Sequence, residues 1–266
     1  MELLASRANG TVKNYCKLLA SGTERARQGL FCVQTEKLLL EAARYGGGLH
    51  SFFYTRKAAA SKPETTDRLR QAAQRSYEIS EPVADKLNAL SSTDGLYGLA
   101  FLREQPFTAG DIRPEGNYLL CDGIRDPGNL GTIIRTASAF LPSAVLLSPD
   151  CCDRFSMKVV RASMGGVFRV PLFTVSLPET LPLLRAAGIA CYSAELAEQA
   201  VPADSLRTAA PGRGVAVVVG NESGGVRPEV SAQCENRLLI PMAPQCESLN
   251  AGVAASILLW EMMHRG

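Results

Sequence analysis

The chain has 266 residues, of which 46% are hydrophobic and 20% are charged, and its formal net charge is +2. This balance predicts a soluble globular protein with a substantial core and excludes a disordered or fibrous chain. No run approaches the roughly 20 apolar residues that a transmembrane helix needs, and the N-terminus lacks the apolar stretch of a signal peptide. The eight cysteines form no C-x-x-C pair and no Cys/His cluster, so we expect reduced thiols, a cytoplasmic location and no metal site.

Strand and helix patterns alternate in the front half, which is mildly basic. Residues 1–105 carry 15 Lys and Arg against 11 Asp and Glu, whereas residues 106–266 carry 13 against 15. This excess fits a nucleic-acid-binding module, although it is also ordinary for a protein surface. The patterns predict helices at 12–19, 35–43, 66–74 and 82–90, and strands at 29–33, 50–54, 76–79 and 96–101.

A Gly- and Pro-rich segment without periodicity, 106–116, predicts a linker before the back half. The back half then predicts strands at 117–121, 144–147, 168–173, 189–193, 215–219 and 237–240. Helices are expected from 129, from 156, at 178–187 and at 249–263. This alternation predicts two α/β domains, 1–105 and 117–266, with mostly parallel sheets that are covered on both faces.

The segment D-P-G-N-L-G at 126–131 joins a strand to a helix. Its D-P-G start predicts a tight turn, and Asn129 stands where the helix N-cap is expected. Arg135 falls two turns into the helix and should point away from its buried face. Considered alone, Asn129 fits an ordinary cap and Arg135 an ordinary surface cation.

The segment V-A-V-V-V-G-N-E-S-G-G-V at 215–226 predicts a strand buried on both faces that ends in a glycine-rich turn. Glycines at the carboxyl end of a strand let a ligand approach the backbone, and ligands of open α/β sheets bind at that edge. The carboxylate of Glu222 needs water or a partner there. The alternative is a glycine-rich surface turn.

A third strand end lies at Ile240, and Ser248 is expected to begin the last helix. Ser248 fits a helix cap, and Asn250 fits a local hydrogen-bond donor. The helix is apolar nearly all round, so the core or another subunit must cover it.

Together, the segments D-P-G-N-L-G-T-I-I-R-T-A, V-V-V-G-N-E-S-G-G-V and I-P-M with E-S-L-N closely resemble the three motifs of the SpoU/TrmH family. This family contains RNA ribose 2′-O-methyltransferases of the SPOUT superfamily. Segment 156–171 resembles the family's linking segment. The front half is similar to a small α/β/α substrate-binding domain that is related to ribosomal proteins.

The resemblance implies a fold, a cofactor and a set of partners. The C-terminal domain should be a parallel-sheet SPOUT domain with a deep trefoil knot, which periodicity could not show because knots are nearly absent among folds. The N-terminal domain should be a small α/β/α sandwich. The cofactor should be S-adenosylmethionine, the substrate RNA, and the assembly a homodimer through the knotted region, with no metal and no membrane.

The resemblance also assigns roles to residues. Catalysis is expected to involve Arg135, Asn129, Glu222, Ser248 and Asn250. Cofactor binding is expected to involve Gly220, Asn221, Ile240, Met242, Ser248 and Leu249. For RNA binding, the sequence offers Arg161, Arg68 and Arg70.

Two positions depart from the family pattern. Ala251 and Gly252 follow S-L-N where Val-Ser is frequent. In the front domain, a V-x-G-E-like strand end reads V-Q-T-E and places Thr35 where glycine is frequent. The adjacent Phe52 and Phe53 are expected in the core and not as stacking platforms for bases.

The leading hypothesis is therefore an RNA 2′-O-methyltransferase, with 23S ribosomal RNA as the expected substrate. The alternatives are a transfer-RNA methyltransferase, or a non-catalytic RNA-binding or ribosome-assembly factor on the same fold. A nicotinamide-dependent oxidoreductase is excluded because the chain lacks G-x-G-x-x-G and its downstream acidic residue.

Overall fold

The computed structural model describes residues 2–88, 94–197, 199–208, 212–243, 245–246 and 248–264. The strands are β1 (Glu2–Leu4), β2 (Leu30–Gln34), β3 (Leu49–Thr55), β4 (Ala73–Ile79), β5 (Leu96–Phe101), β6 (Asn117–Asp122), β7 (Ala144–Leu147), β8 (Leu172–Thr174), β9 (Ala190–Ala194), β10 (Val201–Pro202), β11 (Val215–Gly220) and β12 (Asn236–Leu239). The helices are α1 (Gly10–Ala20), α2 (Gly22–Gln28), α3 (Glu36–Tyr45), α4 (Arg56–Ser61), α5 (Pro63–Ala72), α6 (Glu81–Leu87), α7 (Pro127–Phe140), α8 (Met157–Ala162), α9 (Leu177–Ala186), α10 (Pro228–Ser231) and α11 (Ala251–Met263).

The chain forms two compact units. The first contains Met1–Arg103 and Asp153–Arg169, and the second contains Glu104–Cys152 and Val170–Gly266. The predicted second domain is continuous from 117 to 266, so the structure differs at the segment 153–169.

The first unit is built on a five-stranded sheet in the order β1-β4-β3-β5-β2. Strands β1, β4 and β3 are parallel, but β5 is antiparallel to both of its neighbours, so the prediction of a mostly parallel sheet is only partly right here. Helix α6, with 7 residues, follows β4. Strand β5 then begins beside the carboxyl end of β3, where Leu96 lies opposite Tyr54, and runs antiparallel to it.

Helices cover both faces of this first sheet. Apolar residues of α1 and α6 pack with one face, where Phe53 belongs to the same buried cluster, and helices α3 and α5 contact the sheet strands on the other. Phe52 and Phe53 are both fully buried, which confirms their predicted place in the core.

The segment Asp153–Arg169 belongs to the first unit because of packing that sequence periodicity does not report. The guanidinium of Arg25 lies 2.6 Å from the carboxylate of Asp153. The ring of Phe31 lies 4.8 Å from that of Phe155 and 5.7 Å from that of Phe168. Phe168 ends a short 3-10 turn, so the strand that was expected to begin there begins at Leu172 instead.

Most residues of the predicted linker 106–116 are exposed, but two of its apolar side chains are packed. Phe107 and Ile112 lie against the apolar core of the second unit. The backbone N–H of Arg113 donates to the hydroxyl of Tyr118 over 2.7 Å. This segment contains no periodic pattern, so the contacts of Phe107 and Ile112 could be seen only in the folded chain.

The second unit is built on a seven-stranded sheet in the order β10-β12-β9-β11-β6-β7-β8. Every strand pair in it is parallel, as the alternating pattern predicts. Helices α9 and α10 contribute to a core cluster on one face, and α7 packs with α11, which contacts β6 and β11. From β6 the chain proceeds outward to β7 and β8, while β11 and β9 lie on its other side. The boundary between β6 and β11 is thus the switch point at which ligands of parallel sheets bind.

Candidate active site

The carboxyl ends of the central strands meet at one edge of the second sheet. Gly220 at the end of β11 lies opposite Asp122 at the end of β6. On the other side, Val218 of β11 pairs with Ser193 of β9, and Ala194 pairs with Leu238 of β12. The segments that follow these strands therefore emerge side by side.

Helix α7 is capped by Asp126, whose side chain accepts a hydrogen bond from the backbone N–H of Asn129 over 2.8 Å. The prediction that Asn129 is the N-cap is wrong by one helical turn. Pro127 fits the first helical position, where no N–H donor is required. The amide of Asn129 is consequently available for contacts across the site.

Asn129 connects the three strand-end segments. Its Nδ2 donates to Oε1 of Glu222, and its Oδ1 accepts from Nδ2 of Asn250 over 2.8 Å. The resulting hydrogen-bonded chain, Asn250–Asn129–Glu222, contains one polar residue from each segment. Glu222 is exposed, so its carboxylate has both solvent and a partner.

Asn250 has a second function as the N-cap of α11. Its Oδ1 accepts from the N–H groups of Gly252 at 3.0 Å and Val253 at 3.2 Å. The helix begins at Ala251, so Ser248 is not its cap and the expected start at 248–249 is wrong. Ser248 instead lies in the loop before the helix, exposed to solvent.

The turn after β11 requires its glycine and is held by Asn221. A Cβ on Gly220 would come within 2.0 Å of the backbone of Gly225. Asn221 and Gly225 exchange backbone hydrogen bonds of 3.0 and 2.9 Å, and Nδ2 of Asn221 donates to the carbonyl of Gly123 over 2.6 Å. The turns that follow β6 and β11 are therefore joined directly.

An ion pair between the buried Asp122 and the partly exposed Arg227 also joins the same two turns. Asp122 is fully buried, and its carboxylate accepts from the backbone N–H of Arg227 at 2.8 Å and from its guanidinium at 2.8 and 2.5 Å. Hydrogen bonding to Asp122 raises the pKa of Arg227. The guanidinium also lies 3.7 Å from Asp150, whose pKa is lowered mainly by a hydrogen bond from Ser148.

Two adjoining cavities lie at this edge of the sheet, with volumes of about 370 and 130 Å³. The larger falls within the range of about 300–1,000 Å³ that is usual for small-molecule sites. All six predicted cofactor-binding residues line one or both cavities: Gly220, Asn221, Ile240, Met242, Ser248 and Leu249. Glu222 also lines the larger one.

Glu195 lines both cavities and is absent from the predicted site. The sequence does contain a signal for a site residue at this position, because Glu195 directly follows β9, as Glu222 follows β11. The rule that placed Glu222 at the carboxyl edge of the sheet applies equally to Glu195.

Arg135 lies apart from the hydrogen-bonded chain. It is exposed, six residues beyond Asn129 and thus about 9 Å further along the helix axis. It lines neither cavity, and its guanidinium makes no hydrogen bond or ion pair with the residues that the structure describes.

The predicted RNA-binding residues all belong to the first unit. Arg68 and Arg70 are exposed on α5, where Arg70 lies 3.3 Å from Asp67. Arg161 is exposed in the last turn of α8. Their exposure leaves these cations accessible to phosphate groups.

Neither a metal centre nor a membrane span is found in the described part of the chain. Its His, Cys, Asp and Glu side chains form no group of three that could hold a metal ion. Its helices are all too short or too polar to cross a bilayer.

The sequence of this chain is similar to that of a known family and of its members. Residues 116–260 match the sequence profile of the SpoU rRNA Methylase family. A relative from Bacillus subtilis, the 23S rRNA (guanosine(2553)-2′-O)-methyltransferase RlmP, is 31% identical over 262 residues, which cover 98% of this chain and 99% of the relative.

Two solved structures extend the similarity to three dimensions. AdoMet-bound rRNA methyltransferase from Sinorhizobium meliloti matches 98% of this chain and 97% of its own, with a TM-score of 0.86 and 27% identity. The SpoU methyltransferase AviRb from Streptomyces viridochromogenes, in complex with AdoMet, matches 96% and 97%, with a TM-score of 0.83 and 22% identity. Because AviRb is only 22% identical to this chain, its likeness supports the fold alone.

Proposed function

Because this chain belongs to the SpoU rRNA Methylase family, we propose that it transfers a methyl group from S-adenosylmethionine to a ribose 2′-hydroxyl of RNA. The observation that carries this proposal is the set of hydrogen bonds between the side chains of Asn250, Asn129 and Glu222. These bonds join three strand-end segments beside a cavity of about 370 Å³. The similarity to RlmP over nearly the whole length supports 23S ribosomal RNA as the substrate.

The residues present fit the cofactor. The smaller cavity has apolar walls from Leu238, Ile240 and Met242, which suit an adenine ring. In the larger cavity Gly220 keeps the backbone free of a side chain, and the negative charge of Glu222 favours a positively charged group. Bound S-adenosylmethionine would supply a methyl group on a positively charged sulfur, activated for in-line transfer.

The remaining task for the protein is to position the ribose hydroxyl and to stabilise negative charge on its oxygen. We assign this task to Arg135, on the exposed side of α7. An arginine side chain stays charged in proteins, so a role as a general base is unsuitable. The guanidinium would stabilise the developing alkoxide, or hold a neighbouring phosphate that accepts the proton.

Asn129, Asn250 and Glu222 would form a fixed polar wall for this reaction. Each amide is oriented by its hydrogen bonds, and Asn250 is also anchored to the start of α11. Preorganised polar groups of this kind need no rearrangement when charge develops. Ser248, at the junction of the cavities, would complete the wall.

RNA binding is assigned to the first unit and the segment it includes. Arg68, Arg70 and Arg161 are exposed there, and phosphate contacts by such residues position a nucleic acid without reading its sequence. We also propose a division of function between the two predicted domains. Residues 1–105 would bind the RNA substrate, and residues 117–266 would carry out the methyl transfer.

We further propose a homodimer through the C-terminal region and a cytoplasmic location. The exposed apolar residues Val253 and Trp260 on α11 support the dimer. The trefoil knot that the family resemblance implies also stays a prediction.

Replacing Arg135 by alanine tests the catalytic assignment. Methyl incorporation into RNA should fall by about 10²- to 10³-fold, because a preorganised donor to the developing charge is lost. The affinity for S-adenosylmethionine, measured by calorimetry, should change by less than about threefold, since Arg135 lines neither cavity.

The matched control is Arg185→Ala, which removes the same charge from an exposed position of α9. Near wild-type transfer by the Arg135 variant would contradict the assignment. Cofactor binding by the unaltered protein without transfer to any RNA would favour the non-catalytic alternative. Mapping ribose methylation in cells with and without the gene would separate 23S ribosomal RNA from transfer RNA.

A further inference from the structure

Glu195 stands at the junction of the two cavities. It follows β9 directly, and its backbone N–H donates to the carbonyl of Leu238 over 3.0 Å. The residues shared by both cavities are Ala194, Glu195, Leu196, Ser248, Leu249 and Ala254. Glu195 is the carboxylate among these shared residues.

The two carboxylate oxygens of Glu195 are in different surroundings. Oε2 lies 3.6 Å from Nε of Arg237, a weak and partly exposed ion pair. Oε1 is screened from water and accepts no hydrogen bond from any described residue. A buried acceptor without a donor costs free energy. Because the Glu195 side chain as a whole is 24% exposed, a turn of its carboxyl group would bring this oxygen to a ligand that carries a donor.

The shape of the two cavities indicates which donor this is. If the adenine ring occupies the smaller, apolar cavity and the sulfur lies toward Glu222 in the larger one, the ribose falls between them. The hydroxyls of that ribose are hydrogen-bond donors that a carboxylate accepts well. Glu195 occupies this position between the two cavities.

We propose that the carboxylate of Glu195 binds the ribose hydroxyls of S-adenosylmethionine, an inference that rests on the proposed function. Glu195 is a binding residue in this scheme and takes no part in the methyl transfer. It would set the affinity and orientation of the cofactor. It would also discriminate against cofactor analogues that lack these hydroxyls.

Calorimetric titration with S-adenosylhomocysteine tests the proposal directly, without RNA. Glu195→Ala should weaken binding by about ten- to a hundredfold, and Glu195→Gln by less, because hydrogen bonds to charged groups contribute most. The control Glu179→Gln removes an exposed carboxylate of α9 that lines neither cavity, and should bind as the unaltered protein does.

A second ligand identifies the contact. The unaltered protein should bind S-adenosylhomocysteine about ten- to a hundredfold more tightly than its 2′,3′-dideoxy analogue. Glu195→Ala should lose this preference, because the acceptor for the hydroxyls is gone. Equal weakening toward both ligands would overturn the proposal.

Thermal unfolding without ligand separates binding from a structural role. Since Oε1 accepts no hydrogen bond from the described residues, Glu195→Gln should unfold within about 2 °C of the unaltered protein. A large loss of melting temperature, or unchanged affinity in Glu195→Ala, would overturn the proposal while leaving the proposed function intact. Failure of the unaltered protein to bind S-adenosylhomocysteine would overturn both.

Discussion

Thr35, between β2 and α3, has a backbone conformation that residues with a Cβ rarely adopt. Its φ is 83° and its ψ is 145°. The V-x-G-E pattern of related domains places a glycine here, which enters this region without strain. Thr35 gives no side-chain cap to α3, so the hydroxyl offers no visible compensation. The turn therefore stores conformational strain.

Replacing Thr35 by glycine should raise the free energy of unfolding by about 1 kcal/mol. The strain relieved exceeds the entropy that glycine adds to the unfolded chain. Urea-induced unfolding measures the difference. Thr35→Ala is the matched control, since it keeps the Cβ at positive φ and should gain nothing. A glycine variant less stable than the alanine variant would refute the strain.

At the scale of elements, the buried pair of Asp122 and Arg227 fastens the segment after β11 to the end of β6. Its two members differ in exposure: the Asp122 side chain is 1% exposed and that of Arg227 is 41% exposed. Loss of the arginine side chain leaves the buried carboxylate without its countercharge, with the backbone N–H at position 227 still donating to it. Loss of the carboxylate leaves a guanidinium that can turn to water.

This difference predicts unequal effects of the two replacements. Arg227→Ala should lower the free energy of unfolding by about 3–5 kcal/mol, the usual effect of breaking a buried pair. Asp122→Asn should lower it by about 1–2 kcal/mol, since the amide oxygen can still accept from the backbone N–H of Arg227. The double variant should be more stable than Arg227→Ala. Urea unfolding that ranked Asp122→Asn as the less stable single variant would contradict this account.

At the scale of the whole molecule, two exposed apolar residues of the second unit support the proposed homodimer. Val253 and Trp260 are each 45% exposed on α11. The ring of Trp260 lies 5.7 Å from that of Phe140, at the end of α7. Helices α7 and α11 thus present an apolar surface suited to a second copy of the chain.

Trp260→Glu should convert the proposed homodimer to a monomer, because it places a charge in an apolar interface. Light scattering at micromolar concentration measures the mass. Leu183→Glu is the control: Leu183 is 48% exposed on α9, a helix outside this apolar surface, and its replacement should leave the dimer intact. A monomeric unaltered protein would refute the proposal.

Local patterns in the chain were sufficient for the types of most longer elements and for the edge that carries the site, but they missed β1, β10, α2, α4 and α10. The apolar run of β11 reads as a strand buried on both faces, and β5 has the bounds expected of it, because strand and helix periods are local properties of the chain. Parallel strands end at a common edge, so Asn129, Glu222 and Asn250 could be grouped before any contact was known.

Such local patterns could not predict contacts between residues that are distant in the sequence. The transfer of Asp153–Arg169 to the first unit depends on Phe31, Phe155 and Phe168 meeting across more than a hundred residues of chain. The antiparallel direction of β5 is seen only in its pairing with β3, where Leu96 lies opposite Tyr54. Whether Asn129 caps its helix or reaches Glu222 depends on Asp126 taking the cap. In each case a residue or strand could make more than one contact. Only the folded chain shows which of the possible partners are close enough.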